Sequence, residues 1–224
     1  MTSRRQLIRI AVGGIAAISL PRVALAARRT RVVGIGGTGC TIANKLREST
    51  PTPSHVSICT VGRSGKYLDP DFEIATWFDA SASGVEDRHI ARAIGNATVV
   101  LVIAGLGGRD GTRLTHHFVR VAKASGARTA SVLVMPFEFE GDRCSKAQHA
   151  ASEIANIADQ VVIIDNQVLF EQFEEDTFMS KLLEHADTLA IRSTLNILND
   201  AHVMPASLTG VSSIVSAQSG LRPY

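Results

Sequence analysis

Glycine recurs twice in this 224-residue chain in a pattern that lets backbone close on an anion. GIGGTG at 34–39 and GLGGRDG at 105–111 each follow a run of β-branched residues and lead into a stretch with helical spacing. A strand that turns through glycines into a helix presents unpaired N–H groups and the positive end of the helix dipole, which suits a phosphate. The candidate phosphate-binding residues are therefore Gly36, Gly37, Thr38 and Gly39 in the first turn, with Gly105, Gly107, Gly108, Gly111 and Thr112 in the second. Arg109 and Asp110 interrupt the second turn. A side chain where φ must be positive costs about 1–2 kcal/mol, and an acid about 4 Å from a phosphate costs roughly 4 kcal/mol at an effective dielectric of 20.

Read alone, Glu140 is a loop acid, Asn166 a turn residue and Asp187 a solvated helix face, although an Asn or Asp side chain can also pair with the donor and acceptor edge of a purine. Gly34, Gly36 and Gly39 also satisfy the dinucleotide spacing G-x-G-x-x-G. The second strand, however, ends in Val61-Gly62-Arg63, without the acid that would hold an NAD ribose. An NADP-dependent oxidoreductase would further need a proton donor and a substrate domain, and neither is recognisable.

The elements that position these residues alternate between short β-branched runs and helical spacing, the pattern of an α/β fold with a Rossmann-like parallel sheet flanked by helices. Strands are expected at 31–36, 55–61, 97–105, 127–136 and 159–165, with helices at 41–48, 86–94, 111–126, 142–158 and a long one at 178–199. The stretch 63–82 reads as loop, short strand and turn.

The first 26 residues are different in kind. They hold four arginines, no acid and an apolar run from Ile10 to Leu20. SRRQLIR at 3–9 resembles the twin-arginine export motif, and Ala24-Leu25-Ala26 supplies a cleavage site. Residues 1–26 are expected to be a signal peptide, and 27–224 a single exported, periplasmic domain. A cytoplasmic chain, or one anchored in the membrane by the leader, is the alternative. Loss of the leader removes four of 23 basic residues and none of 21 acids, turning a formal charge of +2 into −2. The basicity belongs to the leader, so no nucleic-acid partner is expected, and no integral membrane segment remains after cleavage. Cys40, Cys59 and Cys144 form no metal-binding or disulfide spacing and read as small buried hydrophobes. The adjacent His116 and His117 point to different helix faces and suggest no metal pair.

Over most of residues 31–215 these segments are collinear with, and resemble, the FtsZ/tubulin GTPases. GIGGTGCTIANKL, with Gly34, Gly36, Gly37, Gly39 and Asn44, is similar to the family's first phosphate loop and helix. AGLGGRDGT is similar to its A-G-x-G-G-G-T-G-T-G signature, and MPFEFEG to its ribose segment. The resemblance implies a nucleotide-binding domain without the family's C-terminal domain. It implies GTP or GDP with magnesium as ligand, Glu140 at the ribose, and Asn166 and Asp187 at the guanine, with self-association or a protein partner.

The departures from the pattern are specific. Arg109, Asp110 and Arg113 replace two glycines and a threonine of the signature, Thr38 replaces a glycine, and Cys144 stands in place of a base-contacting arginine, beside Arg143. The family's hydrolysis-completing N-x-D-x-x-D loop corresponds to MPASLTGV at 204–211, and no Asp or Glu occurs from Ala201 to Tyr224. Without a carboxylate to position water, nucleotide binding without hydrolysis is expected. The alternative is an exported, nucleotide-free interaction or structural module of the same fold.

Overall fold

A computed structural model describes residues 29–49, 51–62, 87–173, 178–203 and 213–216. The leader, the stretch 63–82 and the segment 204–211 lie outside the described residues. The elements are β1 (Thr30–Ile35), α1 (Gly36–Ser49), β2 (Val56–Val61), α2 (Asp87–Ile94), β3 (Val99–Gly105), α3 (Arg109–Ala124), β4 (Arg128–Met135), a 3-10 turn (Glu138–Glu140), α4 (Asp142–Ala155), β5 (Gln160–Asp165), α5 (Asn166–Gln172), α6 (Met179–Val203) and β6 (Ser213–Ser216).

The strands form one parallel sheet in the order β2-β1-β3-β4-β5-β6. Successive side chains of a strand point to opposite faces, and here both faces are covered. Val33, Val102 and Leu133 pack under α2, α3 and α4 with Ile90, Phe118 and Ile154. Val32, Leu101 and Val132 pack under α1 and α6 with Ile42, Leu182 and Ile197. Burial on both sides explains why ATVVLVIAG reads as continuously apolar rather than alternating. Each such Val, Leu or Ile contributes about 1.5–3 kcal/mol of burial.

The chain leaves β1 toward β2 on one side and returns to β3 on the other. That reversal opens a crevice at the carboxyl ends of β1 and β3, where doubly wound sheets bind ligands. Both glycine-rich turns lie there.

Four expectations are revised. Helix α1 begins at Gly36 rather than at residue 41, so the first glycine turn is itself the opening of the helix. Helix α3 begins at Arg109, so Arg109 and Asp110 form its first turn and are not loop residues. No described residue other than glycine has positive φ, so neither carries the expected backbone strain. Helix α5 and strand β6 are additional, and α6 runs to Val203. The expectation for the cysteines holds for Cys40 and Cys59, whereas Cys144 is only partly covered.

Candidate functional site

The glycines of the two turns fall into three physical classes. Gly36 and Gly107 adopt φ of 70° and 84°, which side chains avoid. Gly39 and Gly111 are required by packing. A Cβ on Gly39 would lie 2.2 Å from the Ile103 carbonyl oxygen, and one on Gly111 would lie 2.0 Å from that of Gly105. Those contacts press each helix start against β3. Gly37 and Gly108 are in neither class. A Cβ on Gly37 would meet nothing within 4 Å, and one on Gly108 would meet only the Arg143 Nη2, at 3.9 Å. These two positions leave room for a ligand beside two helix starts.

The helix starts meet. A Cβ on Gly36 would sit 3.2 Å from the Gly111 nitrogen and 3.9 Å from the Asp110 Cβ. The first N–H groups of a helix have no partner within it, so α1 and α3 direct two sets of donors and two positive dipole ends at one crevice. Thr38 leans across that crevice, its Oγ1 lying 2.6 Å from the place of a Gly105 Cβ. At the position where the first loop of the resembled family has glycine, this chain has a hydroxyl between the two loops. Thr112 is used differently. Its Oγ1 accepts the Gly107 N–H at 2.9 Å and closes the second loop.

Charge at the crevice is mixed. Asp110 is half-buried, and Arg109 and Arg113 are exposed. Cys40, buried under the first loop, donates to the Gly34 and Val61 carbonyls at 3.5 Å. Burial, with the Asp110 carboxylate adding to it, pushes its thiol up to about 11.

At the neighbouring strand ends, Met135 pairs with Asp165, which brings the Pro136–Glu140 segment against α5. The Gln167 Oε1 accepts the Glu138 N–H at 3.2 Å, and Asp165 caps α5 by accepting the Gln167 N–H at 2.9 Å. Glu140 accepts the Phe137 N–H at 3.0 Å and forms an ion pair with Arg143. Arg143 thus joins the Glu140 carboxylate to the edge of the second loop at Gly108. Cys144 donates to the Phe137 carbonyl at 2.9 Å. Asn166 is 6% exposed and begins α5, and its Oδ1 is enclosed with no hydrogen-bond partner. An enclosed polar atom of this kind costs about 1–3 kcal/mol until something satisfies it.

The structure therefore gathers Gly36, Gly37, Thr38, Gly39, Gly105, Gly107, Gly108, Gly111 and Thr112 at one crevice, with Glu140 and Asn166 along the same sheet edge. Asp187 is placed differently. It lies in the third turn of α6, where its Oδ2 is 2.7 Å from the Lys45 Nζ on α1. Lys45 was invisible to sequence reasoning because the two residues are 142 positions apart. The cap at Asp165 could have been found from an acid preceding an apolar stretch. Among the described residues no group of three or more His, Cys, Asp or Glu could hold a metal ion, and no helix is long and apolar enough to cross a membrane.

The fold and crevice define a doubly wound α/β domain with two opposed, glycine-built helix starts. Residues 79–174 match the model of the Tubulin/FtsZ family, GTPase domain. The cell division protein FtsZ of Neisseria gonorrhoeae is 28% identical over 204 residues, covering 84% of this chain and 48% of that protein. FtsZ 1 of Pyrococcus horikoshii is 27% identical over 205 residues, covering 84% of this chain and 51% of that protein. An empty FtsZ dimer from M. jannaschii superposes with a TM-score of 0.65 at 21% identity, over 77% of this chain and 55% of that one. The chain is thus similar in sequence and fold to FtsZ/tubulin GTPase domains, and it spans about half the length of these curated relatives.

Proposed function

We propose that this domain binds a guanine nucleotide at the crevice between α1 and α3 and does not hydrolyse it. The observation that carries the reading is the meeting of the two helix starts, with Gly36 against Gly111 and open space at Gly37 and Gly108. Backbone N–H groups of both starts and the Thr38 hydroxyl would hold the phosphates. Glu140, steadied by Phe137 and Arg143, would accept a sugar hydroxyl, and Asn166 would meet the base. Magnesium carried by the nucleotide would supply cationic charge that offsets the repulsion from Asp110, an acid in the first turn of α3. Hydrolysis is left out because the acid-free sequence from Ala201 to Tyr224 offers no carboxylate to orient water.

Titration calorimetry of the chain with GDP and GTP, paired with a phosphate-release assay, tests this. Saturable binding without release is expected. Absence of any binding or thermal stabilisation at millimolar nucleotide would leave the nucleotide-free module as the reading. Export by the leader is proposed on the twin-arginine pattern at Arg4 and Arg5. Fusing residues 1–30 to a reporter active only outside the cytoplasm should give signal that Arg4→Lys with Arg5→Lys abolishes. Self-association is the partner that the similarity to FtsZ suggests, and sedimentation with and without GDP checks it.

A further inference from the structure

The outer side of α3 carries a row of cationic side chains, and we infer that it is a docking face for a membrane surface containing anionic phospholipid. The inference does not rest on what the glycine crevice binds.

Helix α3 buries Leu114, Phe118, Val119 and Ala122. Apart from Asp110, Thr112 and Ala124, every position of the helix that is not buried is Arg, His or Lys, namely Arg109, Arg113, His116, His117, Arg120 and Lys123. Steps of three and four residues put these on one side of the helix, and at about 1.5 Å per residue the row is roughly 21 Å long. The adjoining α2 adds exposed Arg88 and Arg92. Together the two helices hold six Arg and Lys against two Asp, a net +4, in a chain whose residues 27–224 total −2. On the other side of α3, α4 carries two acids and two bases and is balanced. The total charge conceals a face of the opposite sign.

Folding does not account for the row. Arg109 and Arg113 are like charges at i,i+4, which destabilises a helix, and Arg109 occupies the first turn, where the dipole disfavours a cation. Neither forms an ion pair among the described residues. The nearby acids hold other members of the row. Asp87 lies 2.6 Å from Arg120 and 3.7 Å from the His117 Nδ1, and Asp159 pairs with Lys123. Even so, the Arg120 and Lys123 side chains stay 43% and 42% exposed.

The character of the face selects its partner. Among the described residues, none of the large exposed apolar side chains lies on α2 or α3. A protein interface has an apolar, aromatic core, and single-stranded nucleic acid is held by aromatic stacking. The duplex major groove admits a helix that stands free, whereas α3 is bedded between α2 and α4. An anionic bilayer asks for none of these features. It offers a plane of phosphates that a flat row of Arg and Lys meets through charge, each basic residue adding about fivefold to affinity. Arg also matches a phosphate with two parallel hydrogen bonds.

Flotation of the full chain tests this with vesicles of phosphatidylcholine alone and of phosphatidylcholine with phosphatidylglycerol at roughly three to one, in about 0.1 M salt. All forms carry Arg4→Gln, Arg5→Gln and Arg9→Gln, which removes the leader's charge from the comparison. The quantity read is the gain in affinity on mixed over neutral vesicles. It should be on the order of a hundredfold and vanish at about 0.5 M salt. Arg113→Gln should cut it about fivefold, and Arg113→Gln with Arg120→Gln and Lys123→Gln should remove nearly all of it. Arg113→Lys with Arg120→Lys, which keeps the charge, should retain most of it. Thermal unfolding checks each variant, and because Arg113 is exposed and forms no ion pair among the described residues, Arg113→Gln decides the matter if the triple variant fails to fold. No gain for the parent chain overturns the inference, as does a gain unchanged by Arg113→Gln. Tighter binding of a duplex DNA fragment or of polyglutamate than of mixed vesicles, at equal concentration of negative charge, also overturns it and assigns the face to a nucleic acid or an acidic protein.

Discussion

Replacing Asp110 by threonine should tighten nucleotide binding. Asp110 lies in the first turn of α3, its Cβ 3.9 Å from the place of a Gly36 Cβ, so its carboxylate borders the point where the two helix starts converge. A phosphate seated there lies about 4–7 Å from that charge, a repulsion of roughly 4 to 2 kcal/mol at an effective dielectric of 20. Asp110 is half-buried, and solvent screening about halves the effect, leaving roughly 1–2 kcal/mol, or about five- to thirtyfold in affinity. The substitution also removes an acid from the first turn of a helix, which costs about 0.3–1 kcal/mol of stability. Tighter GDP binding should therefore accompany a slightly lower unfolding temperature. Calorimetry without magnesium at low and high salt measures the effect, which should shrink with salt. Asp110→Asn should reproduce it, and added magnesium should favour the wild type. Unchanged or weaker GDP binding would refute the reasoning, as would an equal gain for uncharged guanosine, since neither outcome involves repulsion of phosphate.

Three further outcomes are expected. Gly111→Ala places a methyl group 2.0 Å from the Gly105 carbonyl and should destabilise the fold by about 3 kcal/mol or more, whereas Gly37→Ala, in open space, should unfold no more easily than wild type yet lose GDP affinity. Burial raises the Asp159 carboxyl, but the Lys123 and Thr129 hydrogen bonds outweigh it and hold it below the ordinary carboxylate range. The resulting stability is present above an unfolded value of about 3.8 and disappears as pH falls through the lower folded value. In urea unfolding, Asp159→Asn should therefore cost about 1–2 kcal/mol at pH 7 and almost nothing below the folded value. In the folded protein at pH 8, iodoacetamide should label Cys144 slowly and leave Cys40 and Cys59 unmodified, all three reacting in urea; intact-mass spectrometry counts the adducts.

Most of the sheet was legible because strands covered on both faces write continuous apolar runs, as ATVVLVIAG does. Helix starts were less so. Gly36, Gly37 and Thr38 read as a turn because glycine is a poor helix former, yet they open α1, where the dihedral freedom of Gly36 and the contact at Gly39 bring the chain onto β3. Arg109 and Asp110 were misplaced for a related reason. A turn and a helix start share the same residue types, and only the position of Gly107 and Gly108 against Arg143 and Pro136 shows where one becomes the other. Helix α5 has seven residues and merges with the apolar end of β5, leaving little periodicity to detect.

The sequence alone determined the parallel α/β plan, the two glycine turns at strand ends and the residues that could meet a nucleotide, because these follow from local pattern and backbone freedom. The tertiary structure decided what each residue is free to do. It separates Gly39 and Gly111, held by carbonyl contacts, from Gly37 and Gly108, which face open space. It also pairs Asp187 with Lys45 while leaving the Asn166 oxygen unsatisfied. Both distinctions depend on which atoms lie nearby after the sheet has brought distant segments together, and spacing along the chain carries no record of that.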